Sequence, residues 1–438
     1  MKPSAYNFFF PYEHDKNKLI AYNSFSNALV LMDKDKHEIF RDFCNDGTPI
    51  SDEEFIGQLE KGRFLIEDDC NELDLLRFRM LKSRYNNNYL SLTIAPTADC
   101  NFRCPYCYEK DVISPDYMTK EVEDAVIKLV ESQVKTISSL FVNWYGGEPL
   151  MNVSTIERLS ERFIELCKEN GIDYRANIVT NGYLLTEEIC KLFNRLKIIS
   201  MQITLDGSKE IHDVRRPLVA GGGTFDTIVG NLLDYKDILP SYVNLRINID
   251  RENADSGRDV VEFLKDNGLL GKVRPYLGQL FSNDVYEQKK CFDTCDFSEE
   301  EFDFYSEAIV KNNYNYMNRY PRPVSNFCVA DTLNDHVVGA DGNMYKCWKD
   351  IGDNEKCIGS LIEDKKYNDN LFLNYMLYDA TSSEKCSECN LLPICMGGCP
   401  YVRLEEKNSE GCPRYKFILD SYLRVIAKKI EDGQNAVA

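Results

Sequence analysis

The run Ala98-Asp99-Cys100-Asn101-Phe102-Arg103-Cys104-Pro105-Tyr106-Cys107-Tyr108-Glu109 carries three cysteines, with three residues between the first pair and two between the second. Three thiolates on one short loop can hold three irons of a cubane iron–sulfur cluster, leaving the fourth iron without a protein ligand. An open iron is where a small molecule can bind and react. A cluster that only carries electrons has no need of one. Cys-x-x-Cys alone also suits zinc or a redox pair. Tetrahedral zinc wants a fourth ligand nearby, and His14, His37, His212 and His336 all lie far off in sequence.

Outward from this loop the chain alternates strand and helix patterns. Strands are expected at Tyr89 to Ala95, Leu140 to Trp144, Ala176 to Thr180, Ile199 to Leu205, Val243 to Ile249 and Lys272 to Leu277. Helices are expected at Met118 to Val134, Ser154 to Asn170 with Ser154 as cap, Thr186 to Leu196, Thr224 to Leu239 with Thr224 as cap, Ser256 to Asn267, and Glu299 to Tyr314. The 3.6-residue spacing of apolar positions carries these assignments. Six β-then-α units predict an α/β fold with a parallel sheet and helices outside, curved into a partial barrel. Ligands then bind at the carboxyl ends of the strands.

The polar and glycine-rich motifs fall at those ends. After the cysteine loop come Gly146-Gly147-Glu148-Pro149-Leu150, Thr180-Asn181-Gly182, Thr204-Leu205-Asp206-Gly207, and Asn248 with Asp250. Glycines at 146 and 147 let backbone approach a ligand closely. Glu148 is a candidate acceptor for a ligand ammonium group. Asn181, Thr204 and Asp206 are candidates for ribose hydroxyls or a carboxylate. Arg216, in His212-Asp213-Val214-Arg215-Arg216-Pro217, is a candidate for a ligand carboxylate, with Arg215 the alternative. Gly221-Gly222-Gly223 lacks the Lys-Ser/Thr of a P-loop and reads as a lead into a helix.

The Cys-x-x-x-Cys-x-x-Cys loop, with Tyr106 between its last two cysteines, resembles the radical S-adenosylmethionine (SAM) enzymes. The resemblance implies a [4Fe–4S] cluster on Cys100, Cys104 and Cys107, whose unique iron is chelated by the amine and carboxylate of SAM. One-electron reduction, from a donor such as flavodoxin or ferredoxin, then cleaves SAM to methionine and a 5′-deoxyadenosyl radical. That radical abstracts hydrogen from a substrate, while the protein positions the cofactor and excludes side reactions. By the same resemblance Tyr106, Gly146, Gly147, Glu148, Pro149, Asn181, Thr204, Asp206 and Arg216 bind the cofactor, the Gly-Gly-Glu-Pro stretch meeting the methionyl amine.

Seventeen cysteines is an odd count that argues for metal or clusters rather than disulfides. Three lie in the loop above. Seven form a pattern from Cys328 through Cys347, Cys386, Cys389, Cys395 and Cys399 to Cys412, with an Asp341-Gly342 hairpin signal and glycines at 397 and 398. Seven are too many for one site and can supply two zinc sites or two clusters. The pattern looks like the SPASM domain of radical SAM enzymes, which implies two auxiliary [4Fe–4S] clusters. Cys328, Cys347 and Cys399 would hold the first. Cys386, Cys389, Cys395 and Cys412 would hold the second. The run 321–327 lacks the extra cysteine of some relatives, so the first auxiliary cluster either has an open iron or borrows Cys357, Cys291 or Cys295. Of the remaining cysteines, Cys167 and Cys190 lie on apolar helix faces and are expected in the core.

Short strands at Leu19 to Tyr22 and Ala28 to Met32, then helical runs, a Gly62 helix cap with a β-wing, and a helix from Asn71 to Leu81 resemble a winged-helix leader-peptide recognition module. There a precursor's leader adds a strand to a sheet edge. Three consecutive segments are therefore expected: 1–88, the winged-helix-like module; 89–320, the partial barrel; and 321–438, the SPASM domain. With a net charge of −19 nucleic acid is an unlikely partner. No apolar run is long enough to span a membrane, and the N-terminus lacks the features of a signal peptide, so a cytoplasmic location is expected. The sum is a peptide maturase that cross-links a ribosomally made precursor. A thioether from cysteine to carbon leads, carbon–carbon cross-linking rivals it, and formylglycine formation or electron transfer alone are the alternatives.

Overall fold

The computed structural model describes residues 1–281, 288–310, 320–362, 368–405 and 411–433. The chain divides into two compact units. Residues 1–85, 317–332 and 377–438 form one, and 86–316 with 333–376 form the other. These units cut across the three consecutive segments expected from the sequence.

In the first unit, β1 (Lys2–Pro3), β2 (Asn7–Pro11), β3 (Lys18–Asn23) and β4 (Ala28–Asp33) are followed by helices Lys34–Asp46 and Glu53–Lys61, then β5 (Leu65–Ile66) and helix Glu72–Arg84. β2, β3 and β4 form an antiparallel sheet, and β1 pairs with β5. The strand β2 is the aromatic run Phe8-Phe9-Phe10, unassigned from the sequence because it shows no polar alternation. Its alternate side chains go to different cores. Phe8 and Phe10 pack against Tyr12, Ile20, Leu391 and Leu423, whereas Phe9 packs among Phe40, Phe55 and Phe64. The C-terminal helix Tyr415–Glu431 buries Leu419 and Leu423 in the first of these cores. Gly62 does follow a helix, but with φ −78°; the left-handed residue is Arg63, φ +58°. A Cβ on Gly62 would stand 2.6 Å from the Phe64 ring.

The second unit holds β6 (Tyr89–Ile94), β7 (Ser139–Trp144), β8 (Asp173–Val179), β9 (Ile198–Thr204), β10 (Tyr242–Ile249) and β11 (Val273–Gln279), each parallel to its neighbour. All six expected strands are present, in sequential order. Register aligns their carboxyl ends: Ile94 faces Trp144, Trp144 faces Ile178, and Thr204 faces Arg246. The sheet continues past β6 through β12 (Asp335–Val338), β13 (Asn343–Tyr345) and β14 (Gly359–Ser360), nine strands in all among the described residues. The expected Asp341-Gly342 turn joins β12 to β13, with Gly342 at φ +81°.

Two expected helix caps are corrected. The helix after β7 starts at Val153 following Asn152, and Ser154 lies inside it, its hydroxyl on Asn152 Oδ1. A short 3-10 turn at Pro149–Asn152 has already turned the chain, so the helix begins earlier than Ser154. Helix Phe225–Asp234 is shorter than expected and is not capped by the Thr224 side chain. That hydroxyl instead donates to the Arg216 carbonyl, and Asp213 Oδ1 accepts from the N–H groups of Thr224 and Phe225 at 2.7 and 2.8 Å. The expected last helix is found as Thr294–Phe304 with a π-helical continuation Tyr305–Val310; its remaining expected residues, 311–314, lie outside the described ones. Cys167 and Cys190 are buried as expected.

Candidate cofactor site at the strand ends

The cysteine loop leaves β6 and is fastened to the loop that leaves β7. Glu148 N–H donates to the Asp99 carbonyl at 2.8 Å, and Asp99 Oδ1 accepts from Cys100 N–H at 2.8 Å. The two glycines before Glu148 are explained by this contact. A Cβ on Gly147 would lie 2.1 Å from the Asp99 carbonyl oxygen, and one on Gly146, at φ +97°, 2.7 Å from Ala95 Cβ. The backbone they let come close is that of the cysteine loop itself. Pro149 then opens the 3-10 turn, where a missing N–H costs nothing.

Glu148 is fully buried, and its carboxylate accepts from Leu150 N–H at 3.0 Å, Thr180 Oγ1 at 2.6 Å and Asn181 N–H at 2.7 Å. These donors hold the carboxylate against the upward push of burial on its pKa. Glu148 thus braces the ends of β7 and β8 and spends its oxygens within the protein. Asn181 reaches back to the cysteine loop, its Nδ2 on Asn101 Oδ1 at 2.7 Å. Thr204 is buried at the end of β9.

Tyr106 is the hub of the opposite side. Its hydroxyl donates to Asp206 Oδ2 and accepts from Arg216 Nη1 at 2.8 Å and Asn248 Nδ2 at 3.3 Å. Asp206, wholly buried, also accepts from Asn248 N–H at 3.1 Å. The adjacent arginines divide their work. Arg215 pairs with Asp250 Oδ2 at 2.8 Å and stands 3.6 Å from Asp206 Oδ2, tying the ends of β9 and β10. Arg216 faces Tyr106, and its charge offsets the rise that burial imposes on the Cys104 thiol. His212 supports this arrangement: Nδ1 accepts from Asp206 N–H at 3.2 Å, and Nε2 meets Thr224 Oγ1 at 3.0 Å. Burial, with Arg216 nearby, lowers its pKa to about 3, so the ring stays neutral.

Sequence reasoning missed His212, Asp213 and Glu109. Glu109 follows Cys107 by two residues, is 8 % exposed, and has its pKa raised to about 7 by burial. The thiol of Cys107 is likewise pushed up to about 12 by burial, then by the Glu109 charge.

The residues fit an iron–sulfur cluster with SAM. Three free, half-buried thiols share one loop, their pKa values raised by burial, and such thiols resist ionisation until a metal supplies positive charge. Two buried donor atoms, Arg216 Nε and Asn101 Nδ2, lack an acceptor among the described residues, which suits a carboxylate-bearing ligand.

The C-terminal cysteines are placed as follows. In the first unit, burial, helped by the charges of Cys412, Cys386 and Cys389, drives the Cys395 thiol up to about 12, so these four lie within electrostatic range. Met396, Gly397 and Gly398 all take positive φ, at +49°, +91° and +74°. Cys399 N–H donates to the Gly411 carbonyl at 3.1 Å, and Cys328 leads a 3-10 turn in the same unit. Cys347 belongs to the second unit. There too, Cys357 donates to the Gly359 carbonyl at 2.9 Å and packs beside Tyr345, and Cys291 feels the charges of Asp250 and Arg215. Cys295 lies in helix Thr294–Phe304. Among the described residues no helix is long and apolar enough to cross a membrane.

Residues 94–264 match the family described as the Radical SAM superfamily. The cysteine-type anaerobic sulfatase-maturating enzyme of Clostridium novyi is 26 % identical over 373 residues, covering 78 % of this chain and 95 % of that protein. Among solved structures, a tagged form of anSMEcpe with bound AdoMet aligns with a TM-score of 0.61 at 19 % identity, over 80 % of this chain and 96 % of its own. Streptococcus suis SuiB bound to precursor peptide SuiA aligns at 0.54 and 17 % identity, over 94 % of this chain and 98 % of its own. Both structural likenesses speak for the fold. Residues 94–264 are a radical SAM domain, whose cofactors are SAM and a [4Fe–4S] cluster, and the protein is an enzyme.

Proposed function

We propose that this enzyme modifies a ribosomally made precursor peptide by forming a cross-link, with a thioether from cysteine to carbon as the leading product. The supporting observation is the extent of the likenesses. The fold of a precursor-peptide complex follows 94 % of the chain, against 80 % for the sulfatase-maturating structure. The N-terminal strands and helices are the segment for a leader, by strand addition at a sheet edge.

Cys100, Cys104 and Cys107 would hold the SAM-binding cluster. Cys386, Cys389, Cys395 and Cys412 would hold one auxiliary cluster, and Cys328, Cys347 and Cys399 another, an assignment that rests on the resemblance. When bound, the cluster with SAM supplies a 5′-deoxyadenosyl radical that abstracts hydrogen. The protein's own residues position it. Arg216 and Asn101 offer donors to the SAM carboxylate, Tyr106 and Asp206 fix the loop between Cys104 and Cys107, and Glu148 keeps the glycine stretch against Asp99. A flavodoxin or ferredoxin is the electron donor in this reading.

A second reading is favoured by the sulfatase-maturating relative, 95 % of which is covered: oxidation of a protein Cys or Ser to formylglycine. Anaerobically reconstituted enzyme, SAM, a reductant and a Cys-rich precursor encoded beside it separate the readings by mass spectrometry. A peptide lighter by two hydrogens with one cysteine no longer alkylatable supports the thioether. The same mass loss with every cysteine alkylatable points to a carbon–carbon bond. Modification only of a sulfatase peptide favours the second reading. No peptide change with either substrate refutes a peptide maturase.

A further inference from the structure

Beside the cysteine loop, at the same strand ends, stands a wall of aromatic rings. Tyr108 follows Cys107, Tyr145 follows β7, and Trp348 follows Cys347. The Tyr108 and Tyr145 hydroxyls are hydrogen-bonded to each other. The Tyr145 ring stacks on Trp348 with centroids 5.5 Å apart and planes at 14°. Tyr108 and Trp348 nonetheless leave 37 % and 47 % of their surface open. The wall extends through Lys349, whose ammonium lies 4.4 Å from the centre of the Phe281 ring.

Glu109 follows Tyr108 in the chain and is buried. Its carboxylate lies against the Tyr108 hydroxyl, and its charge is felt by both Tyr108 and Tyr145. Oε1 is buried and meets no donor among the described residues. Glu148, another buried carboxylate by the cysteine loop, has protein donors on both oxygens. A buried acceptor without a donor is costly, and open aromatic faces beside it attract a cation.

We propose that Glu109, with Tyr108, Tyr145 and Trp348, forms a subsite for a basic side chain, lysine or arginine, of the peptide substrate. The aliphatic stem lies along the rings and the charged head reaches Glu109 Oε1. A surface of net charge −19 favours the approach of such a segment. The proposal rests on the peptide reading above and adds the substrate feature that the barrel mouth selects.

The test uses full-length, cluster-reconstituted enzyme with SAM bound, titrated calorimetrically with acetyl-Gly-Lys-Gly-amide and with its norleucine counterpart. The expected result is at least tenfold tighter binding of the lysine peptide. Glu109→Gln should reduce that preference to twofold or less and leave SAM affinity within twofold. Trp348→Leu, a second variant should Glu109→Gln not take up its cluster, should weaken the lysine peptide at least fivefold. Trp348 emission should report the binding, since Trp144 is fully buried. Equal affinity for the two peptides, a lysine preference that survives Glu109→Gln, or a loss of SAM affinity in its place each overturns the subsite. So does binding of neither peptide, and the peptide-maturase reading is then judged separately by the mass-spectrometric experiment.

Discussion

Two cysteine-bearing regions of this chain hold their thiols by different means. Around Cys100, Cys104 and Cys107 the anchors are long-range in sequence: Glu148 to Asp99, Asn181 to Asn101, and Arg216 and Asp206 to Tyr106. Between Cys386 and Cys412 remote anchors, Ser24 Oγ on the Asn390 carbonyl and Val324 N–H on the Pro393 carbonyl, are joined by local turns. Cys389 N–H turns back to the Cys386 carbonyl, and three consecutive residues with positive φ follow Cys395. The first loop is shaped by the ends of a parallel sheet, so it stands wherever the sheet stands. The second combines core packing at Leu391, Leu392 and Ile394 with turns that carry the thiols. The first region is therefore expected to keep its shape without a metal, and the turns of the second to lose more order if the proposed auxiliary cluster is removed.

The comparison breaks most sharply at the first loop. Cys104→Ala should abolish reductive SAM cleavage, with 5′-deoxyadenosine falling at least a hundredfold by chromatography; retained cleavage would refute the role of the loop. Cys389→Ala should spare cleavage in part and remove the peptide product, as read by mass spectrometry. Full turnover would make the second region dispensable. The adjacent arginines sharpen the contrast within the barrel. Arg215→Gln removes the cation between the buried carboxylates Asp206 and Asp250, and should cost about 3 kcal/mol in urea unfolding. Arg216→Gln should instead weaken SAM binding at least tenfold with a nearly unchanged unfolding midpoint. Glu148→Gln turns one donor toward the N–H and hydroxyl groups it now accepts from, a loss of about 2 kcal/mol by the same measurement.

The smallest expected effect is with pH. Unfolded histidine takes up its proton near 6.5, while His212 in the folded protein does so only near about 3. Below pH 6.5 the unfolded chain binds more protons, so stability is full above that value and declines as pH falls. The difference in unfolding free energy between wild type and His212→Asn should shrink by about 1 kcal/mol from pH 6.5 to 5.5. A constant difference would show that the ring is not held neutral.

The six barrel strands were legible because each is a short apolar run, five of them ending in a polar or glycine motif, and register then brings those motifs into one row. Less was legible where a residue's partner is remote. Gly147 reads as an approach to a ligand, yet it is Asp99, forty-eight positions earlier, that leaves no room for a side chain. Thr224 has the chemistry of a cap, but Asp213 performs it across a loop. The Phe8-Phe9-Phe10 strand hid its period of two because both faces are apolar. Glu109 has no periodic or motif signal, and only its burial beside Tyr108 sets it apart.

The central claim is hydrogen abstraction from a peptide. Its most direct test supplies the precursor peptide with deuterium on carbon and follows the label by mass spectrometry. The account predicts 5′-deoxyadenosine carrying one deuterium, formed in step with peptide that has lost one. Unlabelled 5′-deoxyadenosine with intact labelled peptide would contradict it.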